Sequence, residues 1–301
     1  MKSEFLGFDL NSYFYSMVKQ IPSCMVSTFG HLARSLGDIK AAKACGYLLS
    51  VNPDPETIPG HRVVFSTGEV GQYSGAGKEK IQRLREEGIR TVDGHVSDFP
   101  GIVFSDFRSN MPLKAMANEQ ENMAKDVSLI DDYTEGNYAA VDVSYDDRFA
   151  YAAVVMEDGS KRTVKTLVTE TKFPYIPGYL SYREFPAIEP VLRGFNGITL
   201  VDGNGILHPR GFGLASFTGV MLNIPTIGVA KSLLMGKVSG ETVTVNGVEV
   251  GFVLGKRMII SPGHKISLES SVNTVKSLND GSYPEILQTA HIETVKLRKG
   301  K

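Results

Sequence analysis

The stretch Ile198-Thr-Leu-Val-Asp-Gly-Asn-Gly-Ile-Leu-His208 constrains this chain most, because it runs an apolar, β-branched segment straight into a carboxylate, two glycines and a histidine. The apolar run is too short for a helix and too uniformly apolar for a strand with one wet face. It reads as a central strand of a covered sheet that delivers Asp202 into a site. Gly203 and Gly205 then let the backbone turn sharply and come close to something bulky. Taken alone, Asp-Gly after a strand is equally a plain turn. A second strand, Tyr138 to Tyr145, buries another carboxylate, Asp142, among core residues, which is costly unless the acid is paired or binds a metal.

With 301 residues the chain is long enough for two domains, each with its own core. The formal net charge is −1, so no global basic field marks a nucleic-acid partner; such binding must rest on local patches or on metal ions bridging to phosphate. Glu4 and Asp9 in a mixed polar stretch do not make a signal peptide, and no apolar run is long enough to cross a bilayer. Cys24 and Cys45 give neither a disulfide framework nor zinc spacing and read as structural thiols. The expectation is a cytoplasmic protein with no membrane partner.

After apolar positions at helical spacing up to about residue 20, Val26 to Gly37 gives a short helix closed by a glycine, and Ile39 to Leu49 gives a second. This is either a helix-turn-helix whose thin, alanine-rich second helix enters a DNA groove, or an αα-hairpin packing small residues against a core. Then Asn52-Pro-Asp-Pro, Ile58-Pro-Gly-His-Arg-Val-Val64, Gly71-Gln-Tyr-Ser-Gly75 and a charged helix ending Arg85-Glu-Glu-Gly88 arrive at close spacing.

That series resembles the DNA-binding and active-site domain of the O6-alkylguanine-DNA alkyltransferases over roughly residues 10 to 95, except that Gly60 stands where their acceptor cysteine would be. Without a thiolate there is nothing to take an alkyl group. The chain is thus similar to the alkyltransferase-like proteins, which flip an alkylated guanine into a pocket and do not repair it. The resemblance implies that His61 and Arg62 hold pocket and loop, that Asn52 orders the loop, that Tyr73 and Ser74 line the flipped base, and that Glu87 backs His61. Phe29 replaces the family's helix tyrosine, and Lys43 its inserted arginine, keeping the charge without the planar stacking surface.

From about 91 to 112 turn and linker signals dominate, placing a boundary near Asn110, and a polar helix from Leu113 to about Ser128 follows. Strands are expected at 138–145, 149–156 and 164–171, with a hairpin turn at Asp158-Gly159. A helix at 183–194, strand 198–201, helix 212–222 and strand 226–229 come next; strands near 248–254 and 258–260 and helices near 267–278 and 286–292 close the chain. The order is that of an α/β fold with a ribonuclease-H-like mixed sheet and flanking helices, preceded by a small, mainly helical helix-turn-helix domain.

Asp142, Glu184 and Asp202 come from separate elements, and an all-oxygen ligand set suits a hard cation such as Mg²⁺, with Mn²⁺ as a substitute. The chemistry implied is phosphodiester hydrolysis. Taken singly, each acid also reads as a strand-end cap, a solvated helix residue or a turn residue. The segments Tyr138 to Tyr145, Pro174-Tyr-Ile-Pro-Gly-Tyr-Leu-Ser-Tyr-Arg-Glu184, Val201 to Arg210, Pro225 to Ser232 and Ser261 to Glu269 resemble endonuclease V, in order, over nearly all of residues 113 to 301. The resemblance implies cleavage, with Mg²⁺, at the second phosphodiester 3′ to hypoxanthine in DNA, some members preferring RNA. It implies Asp142, Glu184 and Asp202 as metal ligands, His264 as a further active-site residue, and Lys231 as a partner of the attacked phosphate or the water.

Pro174-Tyr175-Ile176-Pro177 is a stiff loop presenting a flat ring and an aliphatic side chain. Tyr175 is either a wedge that fills the space of an extruded base or a packed core residue. Leu180, Arg183, the glycines at 203 and 205 and His208 complete the expected lesion site, His208 as a partner of phosphate or metal-bound water. Asn204, Gly211 and Phe217 stand where the family often has histidines or arginines, while His31, His95 and His291 read as structural or surface residues. The whole is expected to be an alkyltransferase-like DNA-binding domain over 1–110 and an endonuclease V domain over 111–301, acting on DNA with deaminated or alkylated bases. A bivalent damage sensor with little cleavage, and a nuclease for inosine in RNA, are the competing readings.

Overall fold

The computed structural model describes residues 3–71, 77–255, 258–279 and 283–300. Its Cα packing separates two units: Phe8–Met116 with Lys172–Pro177, and Met1–Gly7 with Ala117–Thr171 and Gly178–Lys301.

The first unit is mainly helical. Helix α1 (Leu10–Val18) starts where the Asp9 carboxylate accepts the Ser12 N–H, and it buries Leu10, Phe14, Met17 and Val18, one apolar stripe at helical spacing. Strand β1 (Ser27–Thr28) leads into α2 (Phe29–Leu36), capped by Thr28 on the His31 N–H and closed by Gly37 at φ 106°. A Cβ on Gly37 would lie 2.6 Å from the Lys114 backbone nitrogen, so glycine is required there by both conformation and space. Helix α3 (Ala42–Ser50) turns Ala44, Cys45, Leu48 and Leu49 inward. Strand β2 (Val63–Val64) pairs in parallel with β1, and α4 (Gly77–Glu86) follows.

The segment expected to be a linker is packed instead. Strands β3 (Thr91–Val92) and β4 (His95–Val96) form a hairpin, and Val96, Phe99, Ile102 and Val103 join Val26, Val64, Val70, Leu84 and Ile89 in one apolar cluster. Glycine and proline signals mark tight turns as well as linkers, and here they make turns. Helix α5 (Pro112–Met123) then begins on a proline.

The second unit holds, among the described residues, a nine-stranded mixed sheet. Strands β5 (Asn137–Tyr145), β6 (Phe149–Asp158) and β7 (Lys161–Glu170) run as an antiparallel meander. Helix α6 (Leu180–Leu192), β8 (Ile198–Asp202), α7 (Leu214–Leu222) and β9 (Thr226–Ala230) come next, with β8 parallel to both β5 and β9. Strands β10 (Lys237–Ser239), β11 (Thr242–Val245), β12 (Val248–Leu254) and β13 (Met258–His264) extend the sheet from β9, β13 being antiparallel to it. Helices α8 (Leu268–Ser277) and α9 (Glu285–Lys299) close the chain. The spatial order is β10-β11-β12-β13-β9-β8-β5-β6-β7.

Each face of the sheet has its own core. Ala139, Val141, Ala152, Val154 and Val201 pack on Ala187, Ile188 and Val191 of α6 and on Leu214 and Ala215 of α7. Ala140, Val155, Leu200, Ile227 and Ile260 pack on Val272 and Val275 of α8 and on Ile286, Leu287 and Ala290 of α9. Alternate residues of β5 and β8 therefore feed opposite cores, which accounts for the continuous apolar runs seen in the sequence.

Candidate active site

Strand register sets the position of the first two acids. Ala140 pairs with Leu200 and Val141 with Val201 in the parallel β5–β8 ladder, so Asp142 and Asp202 are the next residues along neighbouring strands. Both share the parity of Ala140 and Leu200 and lie on the side covered by α8 and α9. Glu184 joins them from the first turns of α6. Asp142 and Glu184 are buried and Asp202 is half-buried.

Burial pushes the Glu184 carboxyl well above the usual carboxylate range, and the charges of Asp142 and Asp202 add to it against an opposing Arg183. Burial also raises Asp202, while the hydrogen bond and charge of Lys231 pull the other way. Three mutually repelling acids in a desolvated place are costly without cationic partners. One such partner is the Lys231 ammonium, 2.6 Å from Asp202 Oδ2, and His291 Nδ1 lies within hydrogen-bond distance of Asp142 Oδ2, at 2.8 Å. The Thr294 hydroxyl lies 3.3 Å from Asp142 Oδ2 and 2.8 Å from the His291 carbonyl, its nearer acceptor. As the side chains stand, no three metal-ligating groups among the described residues converge on one point. The oxygen-only donor chemistry fits a hard divalent ion.

His264 is not part of this site. It pairs with Thr226, which pairs with Thr199, three residues before Asp202. At ~3.3 Å per residue that places it ~10 Å back along the strands. Its Nδ1 accepts the Ser128 N–H at 3.2 Å, and burial, then the Lys265 charge, lower its basicity. The histidine at the acids is His291, which the sequence reading took for a structural or surface residue; its only local signal is the i, i+3 spacing with Thr294 on α9.

Arg183 lies over the Tyr145 ring, 3.9 Å from its centroid, and Arg298 Nη1 donates to the Tyr145 carbonyl at 3.0 Å. Leu180 is half-buried at the start of α6. His208 is buried, accepts the Arg210 N–H at 3.3 Å, and lines a cavity of about 430 Å³ with Ile206, Pro209 and Gly211. Gly203 and Gly205 do not adopt left-handed backbone. Gly205 is required by packing, since a Cβ there would lie 2.0 Å from the Pro262 carbonyl oxygen, whereas Gly203 has ordinary room.

In the helical unit's segment 172–177, Pro174 and Ile176 are buried while Tyr175 is 61% exposed, which removes the core-packing alternative for Tyr175. That unit also assembles a polar cluster around Gly60, the first residue of a single turn Gly60–Arg62. His61 Nε2 lies 2.8 Å from Glu87 Oε1; Arg62 Nη2 donates to the same oxygen at 2.6 Å and Arg62 Nη1 to the Ile21 carbonyl at 2.6 Å. Burial lowers the basicity of His61, against Glu87. Burial raises Glu87, but the bonds from Arg62 and His61 outweigh it and hold the carboxyl low. The Asn52 amide donates to the Ile58 carbonyl and its oxygen accepts the Asp54 N–H, both at 3.1 Å, closing the loop ahead of Gly60. Phe29 packs against Phe65 with ring centroids 5.5 Å apart and planes inclined by 53°, and Lys43 is exposed on α3. Tyr73 and Ser74 lie outside the described residues. The sequence reading missed Lys80, buried with its ammonium donating to the Val63 carbonyl at 2.6 Å and its pKa lowered by burial to about 8.

Residues 121–292 match the family model "Endonuclease V". The chain belongs to the endonuclease V family. Residues 9–89 match "6-O-methylguanine DNA methyltransferase, DNA binding domain", so an endonuclease V domain is fused to a DNA-binding domain of alkyltransferase type. A "Bifunctional methyltransferase/endonuclease" of Picrophilus torridus is 48% identical over 291 residues, 97% of this chain and 97% of that protein. Its namesake in Thermoplasma volcanium is 38% identical, over 96% of this chain and 90% of that one. The crystal structure of endonuclease V from Streptomyces avermitilis superposes with a TM-score of 0.57 at 30% identity, covering 62% of this chain and 93% of its own. No helix among the described residues is long and apolar enough to cross a membrane.

Proposed function

We propose that this chain nicks DNA by hydrolysing the second phosphodiester 3′ to hypoxanthine at the Asp142–Glu184–Asp202 site, with Mg²⁺ as cofactor and Mn²⁺ as a substitute. The observation that carries the reading is the gathering of three buried or half-buried acids from β5, α6 and β8, two of them raised by mutual repulsion and burial. Asp142, Glu184 and Asp202 would hold the ion, which when bound lowers the pKa of a water and neutralises charge on the leaving oxygen.

The chain's own groups do the rest. His291 and Thr294 fix the direction of the Asp142 carboxylate, as partners behind a ligand do. Lys231, at the edge of the acids beside Asp202, would offer its ammonium to the attacked phosphate. Arg183, stacked on Tyr145, offers a guanidinium to a neighbouring phosphate. Tyr175, exposed on the Pro174–Pro177 loop, is assigned to the space left by an extruded base. In the sheet unit, Gly203 leaves its own backbone uncovered by a side chain.

We assign residues 1–110 to lesion binding and 111–301 to cleavage. The first part binds O6-alkylguanine without accepting the alkyl group, because Gly60 carries no sulfur and the Cys45 thiol, buried and pushed up to about 12, stays protonated. Free cysteines suit the reducing cytoplasm we assign.

The test is a nicking assay with Mg²⁺ on duplexes carrying deoxyinosine, O6-methylguanine or neither. Wild type should cut only the deoxyinosine duplex, and Asp142→Ala or Asp202→Ala should abolish the cut while hypoxanthine binding survives. Full cleavage by both variants would sink the metal-site assignment.

A further inference from the structure

Lys231 leaves the sheet one residue beyond the end of β9 and its side chain is 58% exposed, yet its ammonium is held 2.6 Å from Asp202 Oδ2. Ordering so long a side chain costs rotamer entropy, and an exposed ion pair offsets little of it. The pair alone is therefore a weak restraint on the lysine.

A second restraint comes from Tyr283, just ahead of α9. Its ring centroid lies 5.0 Å from the Lys231 ammonium, within cation–π range. Its hydroxyl lies 3.3 Å from the carbonyl of Val229, the residue opposite Asp202 in the β8–β9 register, and also hydrogen bonds the Asp202 carboxylate. The phenol donates to the Val229 carbonyl, which fixes the ring against the lysine. One residue thus touches the lysine with its ring and the acid with its edge.

We propose that Tyr283 is the positioning residue for Lys231: its ring holds the ammonium at the edge of the acid cluster, beside Asp202. The inference rests on the nuclease reading of this site. Tyr283 meets no reacting atom itself; it limits the volume the lysine samples, so that the ammonium is in place when the phosphate arrives.

The test uses the full chain with Tyr283→Phe, which keeps the ring, Tyr283→Leu and Tyr283→Met, which remove it, Lys231→Ala, and Tyr283→Leu combined with Lys231→Ala. The first readout needs no metal: brief acetylation followed by mass spectrometry, with the exposed Lys237 as internal standard. Losing the ring should speed Lys231 acetylation by about three- to thirtyfold, and Tyr283→Phe should stay within about twofold of wild type. The second readout is nicking of a deoxyinosine duplex in Mg²⁺. Tyr283→Leu or Tyr283→Met should lower kcat by a similar about three- to thirtyfold with little change in KM, Phe should rescue it, and the Leu change should add nothing to Lys231→Ala. Unchanged acetylation in both ringless variants overturns the proposal, as does a kcat loss that adds fully to that of Lys231→Ala. Wild-type nicking by Lys231→Ala would instead refute the lysine's role in the nuclease reading, and the acetylation rates would still decide whether Tyr283 holds it.

Discussion

Gly203 and Gly205 sit two residues apart in the loop after β8, and an alanine at each should have opposite consequences. At Gly205 the new Cβ would lie 2.0 Å from the Pro262 carbonyl oxygen and 2.8 Å from that of Ser261. Neither can rotate away. The Gly205 N–H donates to Ser261 Oγ at 2.8 Å and the Ile206 N–H to the Pro262 carbonyl at 2.9 Å, so loop and β13 are bonded together at this point. Overpacking costs about 1 to 3 kcal/mol where side chains can shift, and a clash with fixed backbone belongs at the upper end, about 3 kcal/mol. At about 2 to 4 °C per kcal/mol for a unit of this size, Gly205→Ala should lower the melting transition of the sheet unit by about 6 to 12 °C. At Gly203 the nearest atom to a new Cβ is a Leu214 side-chain carbon at 3.4 Å, ordinary contact, and the cost should stay within about 0.5 kcal/mol. Calorimetry of both variants in EDTA makes the comparison free of metal binding. Gly203→Ala should melt with wild type and show its effect only in hypoxanthine discrimination, where a methyl group stands between base and backbone. A Gly205→Ala protein melting within about 2 °C of wild type would refute the packing argument.

His291→Ala should leave hypoxanthine binding in EDTA intact but lower Mg²⁺-supported nicking by about 10- to 100-fold and shift the Mg²⁺ titration to higher concentration, since Asp142 loses its orienting partner; an unchanged titration would place His291 outside the site. Tyr175→Ala should cost about 1 to 3 kcal/mol in the preference for hypoxanthine over plain duplex, measured by binding in EDTA, and an unchanged preference would make Tyr175 a surface residue without a wedge role. Gly60→Cys should gain transfer of labelled methyl from an O6-methylguanine duplex to the protein, because Gly60 lies in a helical turn that cysteine can adopt and the His61–Glu87 pair stands next to it. Transfer by wild type would point to the exposed Cys24 instead.

How far the sequence foretold this arrangement depends on how local each signal is. The central strands β5, β6, β8 and β9 lie within a residue or two of their expected positions, because strands buried on both faces read as unbroken apolar runs. Strands β10 and β11 are not expected from sequence: the edge strand Lys237–Ser239 is fully exposed, and β11, though paired on both sides with Val243 buried, is only four residues long. Helix α9 extends to Lys299, seven residues past its expected end, because a terminal turn of Lys296, Arg298 and Lys299 is polar and only Thr294 is buried beyond Ala290. The two histidines exchanged roles for a related reason. His264 stands in a conspicuous Ser-Pro-Gly-His segment, but side-chain destination on a strand is set by register with β9, which no local pattern encodes. His291 reaches Asp142 from a helix about 150 residues away in the chain, a contact that only the folded sheet creates.

Why the acids meet where they do follows from the chain path through the sheet. From β5 the chain steps outward through β6 to β7, and then returns across to lay β8 on the other side of β5, continuing outward to β9. Between β5 and β8 the direction of construction therefore reverses, and connections leaving the two strands part to opposite sides. In open α/β sheets such a reversal leaves a crevice beyond the carboxyl ends of the strands. Asp142 and Asp202 are the paired residues flanking that reversal, and Lys231 leaves the next parallel strand at the same end. Strand β13 runs the other way, so its carboxyl end, with His264, emerges at the opposite edge of the sheet, where it bonds to Ser128. Residues that serve the acids must then come from the ends of β5, β8 and β9 or from the helices beside them. Glu184 of α6 and His291 and Thr294 of α9 do so. A substitution that shifts β5 against β8 by one residue should therefore abolish nicking even with every acid retained, because Asp142 would turn from the α9 side of the sheet to the α6 side.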